Sequence, residues 1–262
     1  MKISVIGAGA MGGAIVEGLI KGNYIDNKDI CVSDPSRTAL ERFTEKVQNI
    51  TTDNCMAAMG GEVVFVVVKP WLVEKVLKDI KEVLDYAHQR LIVVAAGISS
   101  EQLKTWLDKD GQMISTWLCI PNIAIAQLAS MSFLVPVAEA EPQQTEQIKE
   151  LLDSMGQTIV TEEKLLGAGT TLASCGIAYA MRYIRAASEG GVELGFKADH
   201  AKQIVMQTMK GAVELLQATG LHPEAAIDLV TTPGGVTIKG LNEMEHAGFT
   251  SAVIRGLKAG AK

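Results

Sequence analysis

Two glycine-bearing segments, one near each end of the chain, combine residue types that can bind anions and hold a reactant. The first is Gly7-Ala8-Gly9-Ala10-Met11-Gly12. It follows the apolar run Lys2–Ile6 and precedes Ala14, Ile15, Leu19 and Ile20, which recur at helical spacing. Strand, G-x-G-x-x-G and helix in that order is the context a dinucleotide-binding fingerprint requires. Gly7 permits the turn, Gly9 lets the backbone approach a pyrophosphate, and Gly12 lets helix and strand pack closely. The alternative is a bare tight turn, but the motif opens a βαβ pattern. The second segment is Thr231-Thr232-Pro233-Gly234-Gly235-Val236-Thr237-Ile238, which leads into helix-like Lys239–Glu245 and stops at Gly248. Its proline and glycines allow a tight turn that gathers the N–H groups of Val236 and Thr237 at a helix mouth. Such a mouth attracts anions, because its first amides lack partners and the peptide dipoles aim positive charge there. The arrangement suits a small carboxylate and leaves the Thr237 hydroxyl for the reacting end. A plain cap is the competing interpretation.

The second strand-like run, Ile30–Ser33, ends at Asp34-Pro35-Ser36-Arg37. A carboxylate about 20 residues past the third glycine can hold a ribose 2′-OH and favours NAD. Ser33, Ser36 and Arg37 pull toward NADP, since hydroxyls and a guanidinium suit a 2′-phosphate. NADP is the expected coenzyme and NAD the alternative; Asp34 and Ser36 could also simply cap the next helix.

These segments sit in a chain of 262 residues, long enough for one large or two modest domains. With 48% hydrophobic and 21% charged residues, its composition is that of an ordinary globular protein. The formal charge of −6 argues against nucleic acid or an anionic membrane as partner. Apolar runs such as Val63–Val68 and Leu91–Ala96 are too short to span a bilayer, and no signal peptide is visible. Cys31, Cys55, Cys119 and Cys175 lack C-x-x-C spacing and read as cytosolic thiols, and the scattered histidines suggest no metal site.

To about Thr161, continuous apolar strands alternate with helix-like segments. The pattern predicts a Rossmann-type, doubly wound α/β domain over 1–161, with a parallel sheet covered on both faces. Helices are expected over Pro35–Glu45, Asn54–Met59, Pro70–Leu84, Ser99–Trp106 and Pro142–Met155. The remainder, 162–262, reads as all-helical: a long stretch Leu165–Gly195, then Ala201–Thr219 capped by Asp199, then shorter helices. Small residues along Ala168–Gly195 suit close helix packing, either within the chain or against a partner subunit.

The whole chain resembles the pyrroline-5-carboxylate reductase family. The resemblance rests on Gly7–Gly12, Val68-Lys69-Pro70, Ala95-Ala96-Gly97, Pro121-Asn122, Gly176-Ile177-Ala178-Tyr179, Gln207-Thr208, His222-Pro223 and, above all, Thr232–Ile238. It implies that Gly7, Ala8, Gly9, Ala10, Met11, Gly12, Ser33, Asp34, Arg37 and Asn54 serve the cofactor. Val68, Lys69 and Pro70 would border its ribose and nicotinamide, with Ala95 and Ala96 near the reacting face. Gly234, Gly235, Val236 and Thr237 would hold the substrate carboxylate beside Asn122 and Cys175, with Thr237 as the catalytic candidate. It further implies a cytoplasmic enzyme that uses NADP to reduce a cyclic imine to L-proline. Homodimers through C-terminal helices, assembled in some cases into rings, would follow. Three departures stand out: Ala10 replaces the usual asparagine, Ile120–Ile125 replaces Met-Pro-Asn-Thr-Pro-Ala, and Ala173-Ser174-Cys175 replaces Ser-Gly-Ser.

Two rivals remain. A β-hydroxyacid or other imine dehydrogenase would share the first domain, but the former calls for a lysine in the first long helix of the second, and Leu165–Met181 has none. A non-catalytic nucleotide-binding relative would fit the drift at Ile123, Ala173 and Ile177. Cys175 has no histidine placed to activate it as a nucleophile.

Overall fold

The computed structural model describes residues 1–261. Its first compact unit, Met1–Ser174, is built on an eight-stranded sheet in the order β3-β2-β1-β4-β5-β6-β7-β8. The strands are β1 (Ile3–Ile6), β2 (Ile30–Ser33), β3 (Asn49–Thr51), β4 (Val63–Val66), β5 (Arg90–Val93), β6 (Ser115–Ile120), β7 (Ser130–Ala138) and β8 (Gly156–Val160). The helices are α1 (Ala10–Gly22), α2 (Arg37–Glu41), α3 (Asn54–Gly60), α4 (Pro70–Ile80), α5 (Ser100–Leu107), α6 (Pro142–Asp153) and α7 (Leu166–Gly169).

Central strands β1, β4 and β6 are buried along their whole length, which is why they are mostly apolar rather than alternating; their buried hydroxyls, Ser4, Ser115 and Thr116, each donate to a backbone carbonyl. Two core clusters cover the faces. One joins Ile15, Val16 and Leu19 of α1 with Ile148, Leu151 and Leu152 of α6. The other joins Ala57 and Ala58 of α3, Val73 and Leu77 of α4, and Leu103 and Leu107 of α5. The expected doubly wound architecture is present.

Several local expectations need correction. The sheet is not wholly parallel: β7 runs antiparallel to β6, with a register shift at Thr116/Trp117, and β8 runs parallel to β7. The helix expected over Pro35–Glu45 shrinks to α2, capped by the Ser36 side chain, and gives way to turns that bring Phe43 into the core. The long stretch from Leu165 is interrupted, with a π-helical turn over Thr170–Cys175 following α7.

Segment 162–174, which composition assigns to the helical part, is attached to the sheet unit. Glu163 Oε1 accepts from the Ser100 amide at 3.0 Å, Gly169 packs against the Phe133 ring, and Ser174 Oγ donates to the Pro121 carbonyl at 2.9 Å.

From Cys175 onward a second unit is entirely helical: α8 (Gly176–Glu193), α9 (Ala198–Thr219), α10 (Pro223–Val230), α11 (Val236–His246) and α12 (Phe249–Gly260). Helices α8 and α9 approach closely, for a Cβ on Gly191 would lie 2.9 Å from that of Ala201. Asp199 does not cap α9. The helix begins at Ala198 behind Lys197, so the carboxylate lies in the first turn, where it still complements the dipole. Among the described residues, no helix is long and apolar enough to cross a membrane.

Candidate active site

The strand order reverses between β1 and β4, and ligands of open α/β sheets bind outside the carboxyl ends at such a point. A cleft of about 540 Å³ lies there. It is lined by Gly7, Gly9, Ala10 and Met11 from the glycine loop, Asp34, Asn54, and Val68 and Lys69 after β4.

The glycines are required by contact. Gly7 holds a φ of +106°, and a Cβ there would meet the Val67 carbonyl oxygen at 2.2 Å. A Cβ on Gly12 would sit 1.8 Å from the Gly7 carbonyl oxygen, whereas one on Gly9 would meet nothing within 4 Å. Gly9 therefore leaves bare backbone on an open side of the loop, the surface a pyrophosphate needs. The residues fit a dinucleotide.

The loop is also tied from behind. The Ala8 amide donates to Asp34 Oδ2 at 2.8 Å, and Asp34 Oδ1 accepts from the Ser36 amide at 2.8 Å. Both carboxylate oxygens are thus engaged with backbone; Ser36 caps α2 by accepting from the Ala39 amide at 3.4 Å, whereas Asp34 caps no helix and braces the loop and the bend before α2. Ser33 needs correction as a direct contact: it is fully buried, and its hydroxyl donates to Asn54 Oδ1 at 2.7 Å. It can act on a ligand only by orienting Asn54, the first residue of α3. Arg37 is exposed at the start of α2, free to meet a phosphate. Pro70 opens α4, while beyond β5 Ala95 is buried and Ala96 exposed. Ala8 and Gly12 are buried and support the loop rather than face the cleft.

Sequence reasoning missed one wall of this cleft. Leu72, Lys75, Val76 and Asp79 of α4 line it, at helical spacing that follows directly from Val68-Lys69-Pro70. It also missed Arg42, whose Nη2 donates to the Ala8 and Gly9 carbonyls at 2.6 and 2.9 Å.

In the helical unit, Gly234 adopts a φ of +72° and the Gly235 amide donates to the Thr232 carbonyl at 2.9 Å, closing the turn. Gly235 is the N-cap of α11 and offers no side-chain cap. The amides of Val236, Thr237 and Ile238 head a helix and have no intrahelical acceptor. Both Val236 and Thr237 are exposed. Cys175 is half-buried just before α8.

Asn122, expected beside the substrate carboxylate, has one end of its carboxamide engaged within the fold. It is 4% exposed, and its Oδ1 accepts from the Ala124 amide at 3.0 Å, capping the turn over Ile123–Gln127. Its carboxamide oxygen therefore shapes the loop after β6. Glu189, on α8, pairs with Arg185 at 3.1 Å on an exposed face. Among the described residues, no three His, Cys, Asp or Glu side chains gather as a metal site.

Known proteins match both units. Residues 2–97 fit the family described as NADP oxidoreductase, coenzyme F420-dependent, and residues 163–262 fit that described as pyrroline-5-carboxylate reductase dimerisation. Pyrroline-5-carboxylate reductase 1 of Dictyostelium discoideum is 36% identical over 97% of the chain, although the match spans only 48% of that relative. Pyrroline-5-carboxylate reductase 2 of the same organism is 32% identical over 100% of the chain and 91% of its own length. Among solved structures, the Plasmodium falciparum pyrroline carboxylate reductase with NADP bound superposes with a TM-score of 0.88. That match has 23% identity and covers 100% of this chain and 95% of the other.

Glycine loop, switch-point cleft and matching families together define an NADP-dependent oxidoreductase of Rossmann type. The helical unit narrows the class, because its residues match the dimerisation domain of one family. The chain belongs to the pyrroline-5-carboxylate reductase family.

Proposed function

We propose that the protein reduces the cyclic imine 1-pyrroline-5-carboxylate to L-proline with NADPH, as the last step of proline synthesis. One observation carries this reading. A single chain combines a glycine-lined cleft for a dinucleotide with a helix entrance at Gly235 whose amides lack acceptors.

Reduced nicotinamide, when bound, supplies the hydride that adds to the imine carbon. The chain's own task is to hold and orient. Gly7, Gly9, Ala10 and Met11 offer backbone to the pyrophosphate, Arg37 offers charge to the 2′-phosphate, and Asn54 is the ribose candidate. Val68, Lys69, Pro70, Ala95 and Ala96 border the nicotinamide end. Amides of Val236 and Thr237 grip the substrate carboxylate after the turn through Gly234 and Gly235, and Cys175 and the Asn122 loop shape its surroundings. A protonated imine is already electrophilic, so no strong base is required; orientation and exclusion of water can contribute most of the acceleration. The Thr237 hydroxyl donates to the substrate, either to its carboxylate or as a proton relay to the ring nitrogen. The chain acts as a homodimer built through its C-terminal helices, with ring assembly as a further level. Four free thiols fit a reducing compartment, and we assign it to the cytoplasm.

The test is oxidation of NADPH on adding pyrroline-5-carboxylate, with NADH compared on the same imine. Thr237→Ala should lower kcat/KM for the imine about tenfold or more while leaving the NADPH Kd unchanged, since one hydrogen bond to a charged group is removed. Nucleotide binding without turnover in the wild type would favour the non-catalytic relative instead.

A further inference from the structure

We propose that Arg42 is a positioning residue that holds the glycine loop in its phosphate-binding shape without touching the cofactor. The proposal rests on the dinucleotide reading of the cleft.

Arg42 stands in the turn after α2, 34 residues from Ala8, and is exposed. Its Nη2 donates to both Ala8 O and Gly9 O, at 2.6 and 2.9 Å. The guanidinium also lies over the ring of buried Phe43, with Cζ 4.7 Å from the ring centroid, which anchors it from the core side.

Among the described residues, no peptide bond is cis. In a planar trans peptide the C=O and the following N–H point opposite ways. Drawing the Ala8 and Gly9 carbonyls toward Arg42 therefore turns the Gly9 and Ala10 amides away from it. Gly9 and Ala10 line the cleft and Arg42 does not, so the guanidinium backs two peptide units whose donors are left for the ligand. Positive charge on the carbonyl ends also polarises those peptides, strengthening the N–H donors.

The Ala8 amide is held separately by Asp34, so both sides of that residue are fixed. A second position makes room for the clamp. A Cβ on Gly13 would stand 1.6 Å from Arg42 Nη2 and 2.3 Å from its Cζ, so only glycine there lets the guanidinium lie across the start of α1. Gly13 falls outside the G-x-G-x-x-G pattern, lies in the first turns of α1 where glycine is a poor helix former, and the three atoms nearest to its missing Cβ all belong to the Arg42 guanidinium.

The experiment compares wild type with Arg42→Met, Arg42→Lys and Gly13→Ala, well below each melting temperature. It titrates two ligands: NADPH by fluorescence and 2′-AMP, which lacks the pyrophosphate, by calorimetry. Arg42→Met should raise the NADPH Kd about tenfold or more and change that of 2′-AMP less than twofold. Arg42→Lys should recover part of the loss, Gly13→Ala should reproduce it by displacing the guanidinium, and the double variant Gly13→Ala/Arg42→Met should be no worse than either single one. An unchanged NADPH Kd in Arg42→Met overturns the proposal, as does equal loss of both ligands, which would mean general damage. Should Arg42→Met not fold, Gly13→Ala decides alone: wild-type affinity for NADPH overturns the proposal and selective loss supports it. Failure of the wild type to bind NADPH would instead overturn the dinucleotide reading beneath it.

Discussion

In the sheet unit, β4 is buried at all four positions and α4 sends Val73, Val76, Leu77 and Ile80 into the core. In the helical unit, α8, α11 and α12 contain no buried residue, and α9 contains only Ala201. Yet the helical unit is not polar: Tyr179, Met181, Val192, Leu194, Phe196, Val213, Val253 and Ile254 are all exposed. The first unit satisfies its hydrophobic pattern within one chain. The second carries the pattern of amphipathic helices without the mass to cover them, as expected of a domain that pairs with another copy. The proposed chemistry divides along the same line, with glycine-loop backbone lining a cleft in one unit and a helix entrance without a side-chain cap in the other.

The sharpest break of that contrast is Val253→Lys with Ile254→Lys on α12. Covering the exposed halves of these two aliphatics contributes about 1 kcal/mol each, and placing two ammonium groups in the covered surface costs further. The dimer should therefore weaken by about 100-fold or more, visible as monomer in sedimentation velocity. Unchanged oligomeric mass would remove α12 from the interface.

Within the sheet unit, Gly12→Ala should be the next largest effect. Its new Cβ clashes with the Gly7 carbonyl, so both stability and NADPH affinity should fall, the latter by about 100-fold, with the melting temperature lowered by several degrees. Gly9→Ala sharpens the comparison, because its Cβ meets no protein atom. It should melt as the wild type does and weaken NADPH about tenfold, and a drop in melting temperature would refute the claim that Gly9 serves only the ligand.

The smallest effect concerns the thiols. Burial pushes Cys119, in β6, up from 9.0 to about 12. At pH 8 its thiolate fraction is about 10⁻⁴, so a thiol reagent should label it only after unfolding. The raised value in the fold means that this thiol's contribution is complete below pH 9 and is lost as pH climbs toward 12. Between pH 9 and 12 the wild type should accordingly lose stability more steeply with pH than Cys119→Ala, which has no thiol to ionise. Rapid labelling of native Cys119 would contradict the packing of β6.

Much of this was legible from the residues. Apolar runs such as Val63–Val66 name buried strands because both faces of the sheet are covered, and the glycine loop names its own turn. The direction of β7 was not legible, since an alternating run reads alike in either orientation and only its neighbours decide. Nor was the π-helical turn over Thr170–Cys175, because the same small residues suit an unbroken helix. Around the cleft, the glycine loop and Val68-Lys69 follow motif spacing, while the residues that hold them in place do not. Ser33 bonds Asn54 across 21 positions and Arg42 reaches Ala8 across 34, distances set by the fold alone.

Asp34 joins two obligations in one carboxylate, for it steadies the first turn of the nucleotide loop through Ala8 and fixes the following bend through Ser36. A lineage drifting from one pyridine coenzyme to the other could not simply exchange this acid for a neutral residue without loosening the loop itself. Arg37, exposed at the start of α2, carries no such double duty, so the neighbouring surface can change without disturbing the turn that Asp34 holds.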